Sequence, residues 1–494
     1  MDRSRPRRPA ARSWEDTQQV FARGSGPPAF PDTDFATLVV LPSATFAVSE
    51  LRKITGIQYY EERLLCTTLL LARPGVRIVY LTSLPVDEDI VGYYLRLLPD
   101  PAGARRRVTL VALDDPSPLP LTEKVRHRPD IIEHVRSLVR EAGGPASILP
   151  FNVTPAEYAV AEALGLPIFG PRPELAVLGS KTGSRQVARR AGVAVLDGAE
   201  DLYSLEAVEA AVAAIRSGRP GAEAVVIKLN DGFSGQGNAI LPVAGLASPL
   251  AQSTTTFCAA EESWPAYGAK IATGGAIVEE LVVDGGLVSP SAQVRIAPGG
   301  SFEVISTHDQ VLGGPSNQVY LGCRFPAHPR YRLAIQNEAV AVARVLAAEG
   351  VIGSFGIDFL VMPDTGKGGA GGVVLSEINL RMGGTTHPYW MARLLTGATY
   401  DPGSGELVAP GGQSVSYVAT DNLKSQRLTG RTPADVIEAV DRAGLSYDPA
   451  TRSGAALHLL GAVPGFGKMG ATCIAGTLDE ADQLAEELAG IVTA

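Results

Sequence analysis

The chain has 494 residues, 45% of them hydrophobic and 19% charged, with 43 Lys and Arg against 52 Asp and Glu for a formal charge of −9. That is a globular chain long enough for three or four domains or subdomains, and it excludes bulk disorder and a sequence-independent nucleic-acid binder, which would be basic. Cys66, Cys258, Cys323 and Cys473 form no C-x-x-C pair, which points to free thiols in a reducing, cytoplasmic setting and against a zinc site or disulfide frame.

Residues 1–31 are basic at the start (Met1-Asp-Arg-Ser-Arg-Pro-Arg-Arg), but Trp14, Glu15 and Asp16 stand where an export signal would carry an apolar stretch. The composition predicts a disordered tail, with a functional basic arm as the alternative. From 32 to 170, apolar runs at Thr37–Leu41, Arg77–Leu81, Val108–Leu113 and Ser147–Pro150 predict buried parallel strands. Helical patterns at Asp87–Leu98 and Asp130–Ala142 alternate with them, so this stretch reads as an open α/β, Rossmann-like domain. No G-x-G-x-x-G follows the first strand, and nothing supports a nicotinamide site. The densest apolar run, Leu64 to Ala72, is too short to cross a bilayer, and no membrane partner is expected.

Thr154 is placed to cap a helix. Glu174–Ala191 reads as one helix with Lys181 inside it. The strand Val225-Val-Ile-Lys228-Leu runs into Asp231-Gly-Phe-Ser234-Gly235-Gln236-Gly237. Backbone N–H groups of Ser234, Gly235, Gln236 and Gly237 would approach a phosphate unobstructed, with Lys228 adding a point charge. A tight hairpin is the alternative, and the segment lacks the G-x-x-x-x-G-K-[ST] frame. Strands follow at Ala276–Val283, Ser291–Ile296 and Phe302–Ser306, then a helix at Pro329–Gly350.

The acidic signal comes next. Asp358 lies on the strand Gly353–Val361, and Glu377 and Asn379 lie two apart on Val373–Asn379, hence on one face. If the strands are neighbours, the three give a hard-oxygen site suited to Mg²⁺ shared with phosphate oxygens. Arg381 continues the alternation as E-x-N-x-R and would meet charge on a transferring phosphoryl group. A solvated strand face explains the same pattern equally well. Arg295, on a strand of small and apolar residues, reads as a phosphate or carboxylate clamp or as half of a structural salt bridge. His387 would line the acyl site or be a loop histidine bonded to backbone, and His308-Asp309 would flank an acceptor pocket or be structural. Residues 413–494 form a last α/β block, with strands at Ser414–Ala419 and Ala455–Leu460 and helices at Thr432–Ala443 and Leu478–Ile491. Its Lys424, Arg427, Arg431 and Lys468 are a solvated basic face or a groove for the acidic end of a peptide.

The order Lys181, Lys228, Gly-rich loop, Glu279-Glu280-Leu281, Arg295, Asp358, Glu377-x-Asn379-x-Arg381 resembles the ATP-grasp superfamily, over about Pro167 to Ala398. The resemblance implies an ATP-grasp region at 171–412, with a lid near 195–276. It further implies that Lys181 and Lys228 hold ATP phosphates, that main-chain groups of Glu279, Glu280 and Leu281 read adenine, and that Asp358, Glu377 and Asn379 hold Mg²⁺. Relatives often bind ribose through an acidic residue beyond the hinge. This chain reads Gly285-Gly286-Leu287 there, with Asp284 beside it. Where the D-alanine ligase type has an arginine two residues before the metal aspartate, this chain has Gly356. Arg381 instead follows the biotin-carboxylase-like and amino-acid-ligase-like branches.

Val225–Asn238, Ser376-Glu-Ile-Asn-Leu-Arg-Met-Gly-Gly-Thr-Thr-His-Pro and Val463-Pro-Gly-Phe-Gly-Lys-Met-Gly further resemble the pheganomycin-type peptide ligases. That implies a cytoplasmic ligase of antibiotic biosynthesis that activates a carboxylate, here of a non-proteinogenic amino acid, as an acyl phosphate. The acyl group would pass to the amine of an amino acid or peptide, giving ADP and phosphate, with a homodimer as the assembly. An ATP-grasp kinase or a biotin-type carboxylase is the alternative, although no Met-Lys-Met carrier motif occurs.

Overall fold

Four apolar runs at the start of the described chain become β1 (Thr37–Leu41), β2 (Arg77–Thr82), β3 (Val108–Ala112) and β4 (Ala146–Pro150), a parallel sheet in the order β3-β2-β1-β4. The computed structural model describes residues 37–493 apart from 232–236, 247–248, 260–261, 283–285, 314–318 and 363–371, so the expected tail lies outside the described residues. β1 and β4 are buried throughout, as strands covered on both faces must be. Helices Pro129–Ala142 and Pro155–Leu164 cover one face. The second starts on the Thr154–Glu157 capping box.

The other face meets a 16-residue 3₁₀ stretch, Ile57–Ala72, in which every residue from Glu62 to Leu71 is buried. Such runs are usually three or four residues long. Here burial all round leaves no amphipathic stripe in the sequence to announce it.

A second, antiparallel sheet follows: β5 (Gly198–Leu202), β6 (Ala224–Leu229), β7 (Asn238–Pro242), β8 (Thr256–Phe257) and β9 (Ala276–Leu281), in the order β5-β9-β6-β7-β8. Helices Leu205–Gly218 and Trp264–Gly274 close its core around Val208, Val212, Tyr267 and Ile271.

The third sheet has ten strands: β10 (Pro290–Ile296), β11 (Phe302–Gly313), β12 (Val319–Phe325), β13 (Gly353–Val361), β14 (Val373–Asn379), β15 (Thr399–Asp401), β16 (Glu406–Val408), β17 (Ser414–Lys424), β18 (Gly454–His458) and β19 (Lys468–Ala475). Its path is β14-β13-β10-β11-β12-β17-β16-β15, and β19 pairs with β17 and β18. The C-terminal α/β block therefore does not stand apart, because β17 joins β12 and carries the same sheet onward.

The single helix expected over Glu174–Ala191 is two elements. A 3₁₀ turn, Pro173–Gly179, stops at Ser180, whose side chain caps a helix Lys181–Ala191 by accepting from the N–H of Gly183 at 2.9 Å. A Cβ at Gly183 would lie 2.0 Å from the Val177 carbonyl oxygen, so only glycine admits this tight join. Lys181 therefore opens a helix instead of lying within one. Among the described residues no helix is long and apolar enough to cross a membrane.

Candidate functional site

A cleft of about 370 Å³ lies between the edge of the third sheet and the 3₁₀ stretch. Its floor carries Asp358, Glu377, Asn379 and Arg381, and its far wall carries Tyr60, Arg63, Asp421, Lys424 and Lys468.

The β13–β14 hairpin sets the floor. Asp358 stands directly opposite Glu377, and Gly356 opposite Asn379. Gln310 donates to Asp358 Oδ1 at 2.6 Å and Asn379 to Asp358 Oδ2 at 2.9 Å. Arg381 donates to Asn379 Oδ1 at 2.8 Å, and its guanidinium lies 5.3 Å from the centre of the Phe46 ring. The Lys181 ammonium pairs with Glu377. Burial, then the facing Glu377, pushes the Asp358 carboxyl up to about 7. A hard divalent cation between the two carboxylates would remove that repulsion. The oxygen donors of Asp358, Glu377 and Asn379 thus fit Mg²⁺.

The second sheet holds the other nucleotide-binding candidates. Lys228 donates to Glu279 at 2.7 Å. Glu279 is 1% exposed and also pairs with Arg185, which reaches Glu200 at 3.0 Å and the Leu196 carbonyl at 3.1 Å. Burial alone would raise the Glu279 carboxyl, but Lys228 and Arg185 outweigh it and hold the group below its ordinary range. The Glu279 side chain is therefore an anchor for two cations. The Glu280 N–H, expected to face adenine, already donates to the Asp197 carbonyl at 2.9 Å. Leu281 ends β9 opposite Ala224. Gly237 accepts from the Leu229 N–H and from the Tyr267 hydroxyl at the β6–β7 hairpin. Ser234, Gly235, Gln236 and Asp284 lie outside the described residues. Asn230 ties β6 to the start of the Lys181 helix, accepting from the Thr182 N–H at 3.0 Å.

Arg295 does not join the acidic cluster. It shares a face of β10 with Ser291, which opposes Asp358, but lies four residues further on, about 13 Å at ~3.3 Å per residue. Its guanidinium, 3% exposed, pairs with Glu303 at 3.1 Å and sits 5.6 Å from the Phe169 ring centre. The structural ion pair is the reading that survives, and the clamp is withdrawn.

His308 and Asp309 do not flank the cleft either. His308 is buried in β11 against the Tyr417 hydroxyl at 2.5 Å, and burial pushes it down to about 3. Asp309 accepts from Tyr331 and the His328 N–H.

His387 is not a loop residue. It is buried in the first turn of the helix Thr386–Thr396, with its Nε2 3.0 Å from Asp421 Oδ1, and His458 Nε2 approaches the same oxygen at 2.8 Å. Burial pushes His387 down to about 4. Burial would raise Asp421, but His387, His458 and Arg63 together hold it well below the usual carboxylate range. The sequence does carry a trace of this cluster: His458 ends the otherwise small and apolar strand Gly-Ala-Ala-Leu-His.

Of the basic residues in the last block, Lys424 and Lys468 line the cleft, whereas Arg427 is exposed on a short turn.

With this geometry in view, similarity to known proteins becomes informative. The family described as "PGM1 C-terminal domain" matches residues 435–488. An L-propargylglycine–L-glutamate ligase from Streptantibioticus cattleyicolor is 31% identical over 474 residues, 93% of this chain and 94% of its own length. IQ motif-containing protein H of Danio rerio is 21% identical over 384 residues, 66% of this chain and 36% of that protein. A biotin carboxylase–β,γ-ATP complex from Campylobacter jejuni superposes with a TM-score of 0.55 at 14% identity, over 91% of this chain and 89% of that one. The ADP complex of an N5-carboxyaminoimidazole ribonucleotide synthetase gives 0.51 at 14% identity, over 92% and 95%. These two structural likenesses establish the ATP-grasp fold.

Proposed function

The chain belongs to the ATP-grasp carboxylate–amine ligases related to the pheganomycin-type ligases, and from that membership we propose that it activates the carboxylate of one small molecule as an acyl phosphate and passes the acyl group to the amine of another. The observation that carries this reading is the in-register pair Asp358 and Glu377, with Asn379 and Arg381 hydrogen-bonded beside it at one end of a cleft. ATP is the phosphoryl donor, and Lys181 and Lys228 are the cations that meet its phosphates. In the resting chain each is kept in place by a carboxylate, Glu377 and Glu279 respectively. Mg²⁺ held by Asp358, Glu377 and Asn379 would neutralise charge on the terminal phosphates.

A carboxylate oxygen of the acid attacks the γ-phosphorus, and the bond from that phosphorus to the bridging oxygen of ADP breaks. Arg381 is placed to balance charge on the phosphoryl group during this transfer. The amine then attacks the acyl carbon, the C–O bond to phosphate breaks, and one proton leaves the nitrogen as the amide forms. The acid is an amino acid, non-proteinogenic by analogy with the relative whose name joins propargylglycine and glutamate, and the amine belongs to an amino acid or short peptide.

Heavy-oxygen labelling tests the sequence of bonds. With both carboxylate oxygens of the acid labelled, one label appears in the released phosphate and one stays in the amide, and the nucleotide product is ADP. Label retained wholly in the amide, or AMP as product, overturns the mechanism.

A further inference from the structure

The cleft has a second charged end that phosphoryl transfer does not use. Lys424 closes β17 and Lys468 opens β19, and the two lysines are direct partners in the antiparallel register. Like charges so placed destabilise a sheet. Arg63 joins them from the 3₁₀ stretch, with its guanidinium 4.4 Å from the Tyr60 ring centre. Asp421 is the one carboxylate among the described residues that Arg63 pairs with here, at 3.4 Å, and it is already shared by His387 and His458.

Lys468 is the most telling of the three. It is 2% exposed, and its ammonium donates to the Tyr60 hydroxyl at 2.7 Å and the Thr55 carbonyl at 3.4 Å. Among the described residues no carboxylate comes within ion-pairing distance of it. Burying an ammonium is costly unless an anion meets it. Arg381 stands close enough for Arg63 to depress its basicity, so this cationic wall adjoins the phosphoryl end.

We infer that Lys468, Lys424 and Arg63 form a subsite for a substrate carboxylate that the reaction does not consume. That carboxylate belongs either to the amine-bearing amino acid or peptide, or to the acid substrate as a second acidic group. The inference rests on the ligase reading, which supplies the substrates.

The test is calorimetric titration of the full chain, loaded with Mg²⁺ and a non-hydrolysable ATP analogue. The ligands are the twenty proteinogenic L-amino acids and L-propargylglycine, each compared with its α-amide, and for aspartate and glutamate also with the side-chain amide. At least one free acid binds, and amidation weakens it tenfold or more. Lys468→Met weakens the free acid by about 10- to 100-fold, the worth of a charge-assisted hydrogen bond, and leaves the amide unchanged. Lys424→Gln, at an exposed position that cannot disturb the core, gives a smaller loss in the same direction. Running the ligand to product then assigns the carboxylate: incorporation through its nitrogen makes it the acceptor's, and incorporation through its acyl carbon makes it the donor's. Equal binding of acids and amides, no binding by any member of the panel, or undiminished binding in both variants overturns the subsite. Carboxylate-dependent binding by an enzyme that turns these compounds over to AMP, or to a phosphorylated alcohol, would keep the subsite and remove the ligase reading.

Discussion

Replacing Lys468 with methionine should make the unliganded protein more stable. Burial first, then Lys424 and Arg63, pushes the Lys468 amine down from 10.5 to about 8. The folded-state value lies below the unfolded one. As pH falls from about 10.5 to about 8, the unfolded chain therefore takes up a proton that the folded chain refuses. Stability drops across that window and stays low beneath it. Two and a half pH units at ~1.36 kcal/mol each make a penalty of roughly 3 kcal/mol at pH 7.

Methionine removes the ammonium at nearly constant volume, and losing the bond to Tyr60 returns about 1 kcal/mol. The net gain is then about 2 kcal/mol at pH 7, fading to nothing near pH 10. Urea unfolding followed by circular dichroism at pH 7, 8.5 and 9.5 measures it, provided both proteins share one slope. A variant less stable than its parent at pH 7, or a difference that does not change across this range, would refute the reasoning.

Asp358→Asn and Glu377→Gln should each stop ADP release while leaving the circular dichroism spectrum intact, and ordinary turnover in either at millimolar Mg²⁺ counts against the metal assignment. Arg185→Met leaves the buried Glu279 with Lys228 as its close cation and the half-buried Glu200 with Arg189, at a cost of about 3–5 kcal/mol in an unfolding titration. Adding Glu279→Gln should recover part of that loss, and a cost under about 1 kcal/mol would show that the network does not hold the second sheet to the Lys181 helix. Arg295→Met should keep ADP release within about threefold of the parent, because its partner is Glu303 and not the cleft. A drop of about a hundredfold, the size expected on removing a charge-stabilising donor, would return Arg295 to the chemistry.

The parts of the fold written as local patterns were legible in the sequence. β1 to β4 are apolar runs because parallel strands are buried on both faces, and Asp358 meets Glu377 because period two fixes which side chains share a face. The rest depended on partners far away in the chain. Glu61, Glu62 and Arg63 look like a solvated charge run, yet Glu62 is buried and accepts from the Gly461 N–H at 3.0 Å. β19 reads Lys-Met-Gly-Ala-Thr-Cys-Ile-Ala, without alternation and headed by a charge, so nothing local marks it as a strand buried from end to end. Arg185, one of three arginines on its helix, and Arg295, alone on its strand, carry no local mark of their partners. Which one joins Glu200 to the buried Glu279 and which one meets a half-exposed glutamate is decided by neighbours contributed by other strands. The His387–Asp421–His458 cluster unites three segments that no spacing rule connects.

The far wall of the cleft also sets a timetable for the protein's synthesis. The Tyr60–Lys468 hydrogen bond joins residues 408 apart, and the Arg63–Asp421 pair joins residues 358 apart. At ~5–20 residues per second, the ribosome finishes β4 on the order of 15–60 s before it delivers Lys468. Through that interval the apolar 3₁₀ stretch from Leu64 to Leu71 has β2 and the helix Glu88–Arg96 to pack on but lacks helix Thr386–Thr396 and β18, which complete its cover. A chain interrupted before β19 would carry the acidic hairpin but lack Lys468 and the strand that pairs with both β17 and β18. The cleft is complete only once Lys468 has reached Tyr60 and Asp421 has met Arg63.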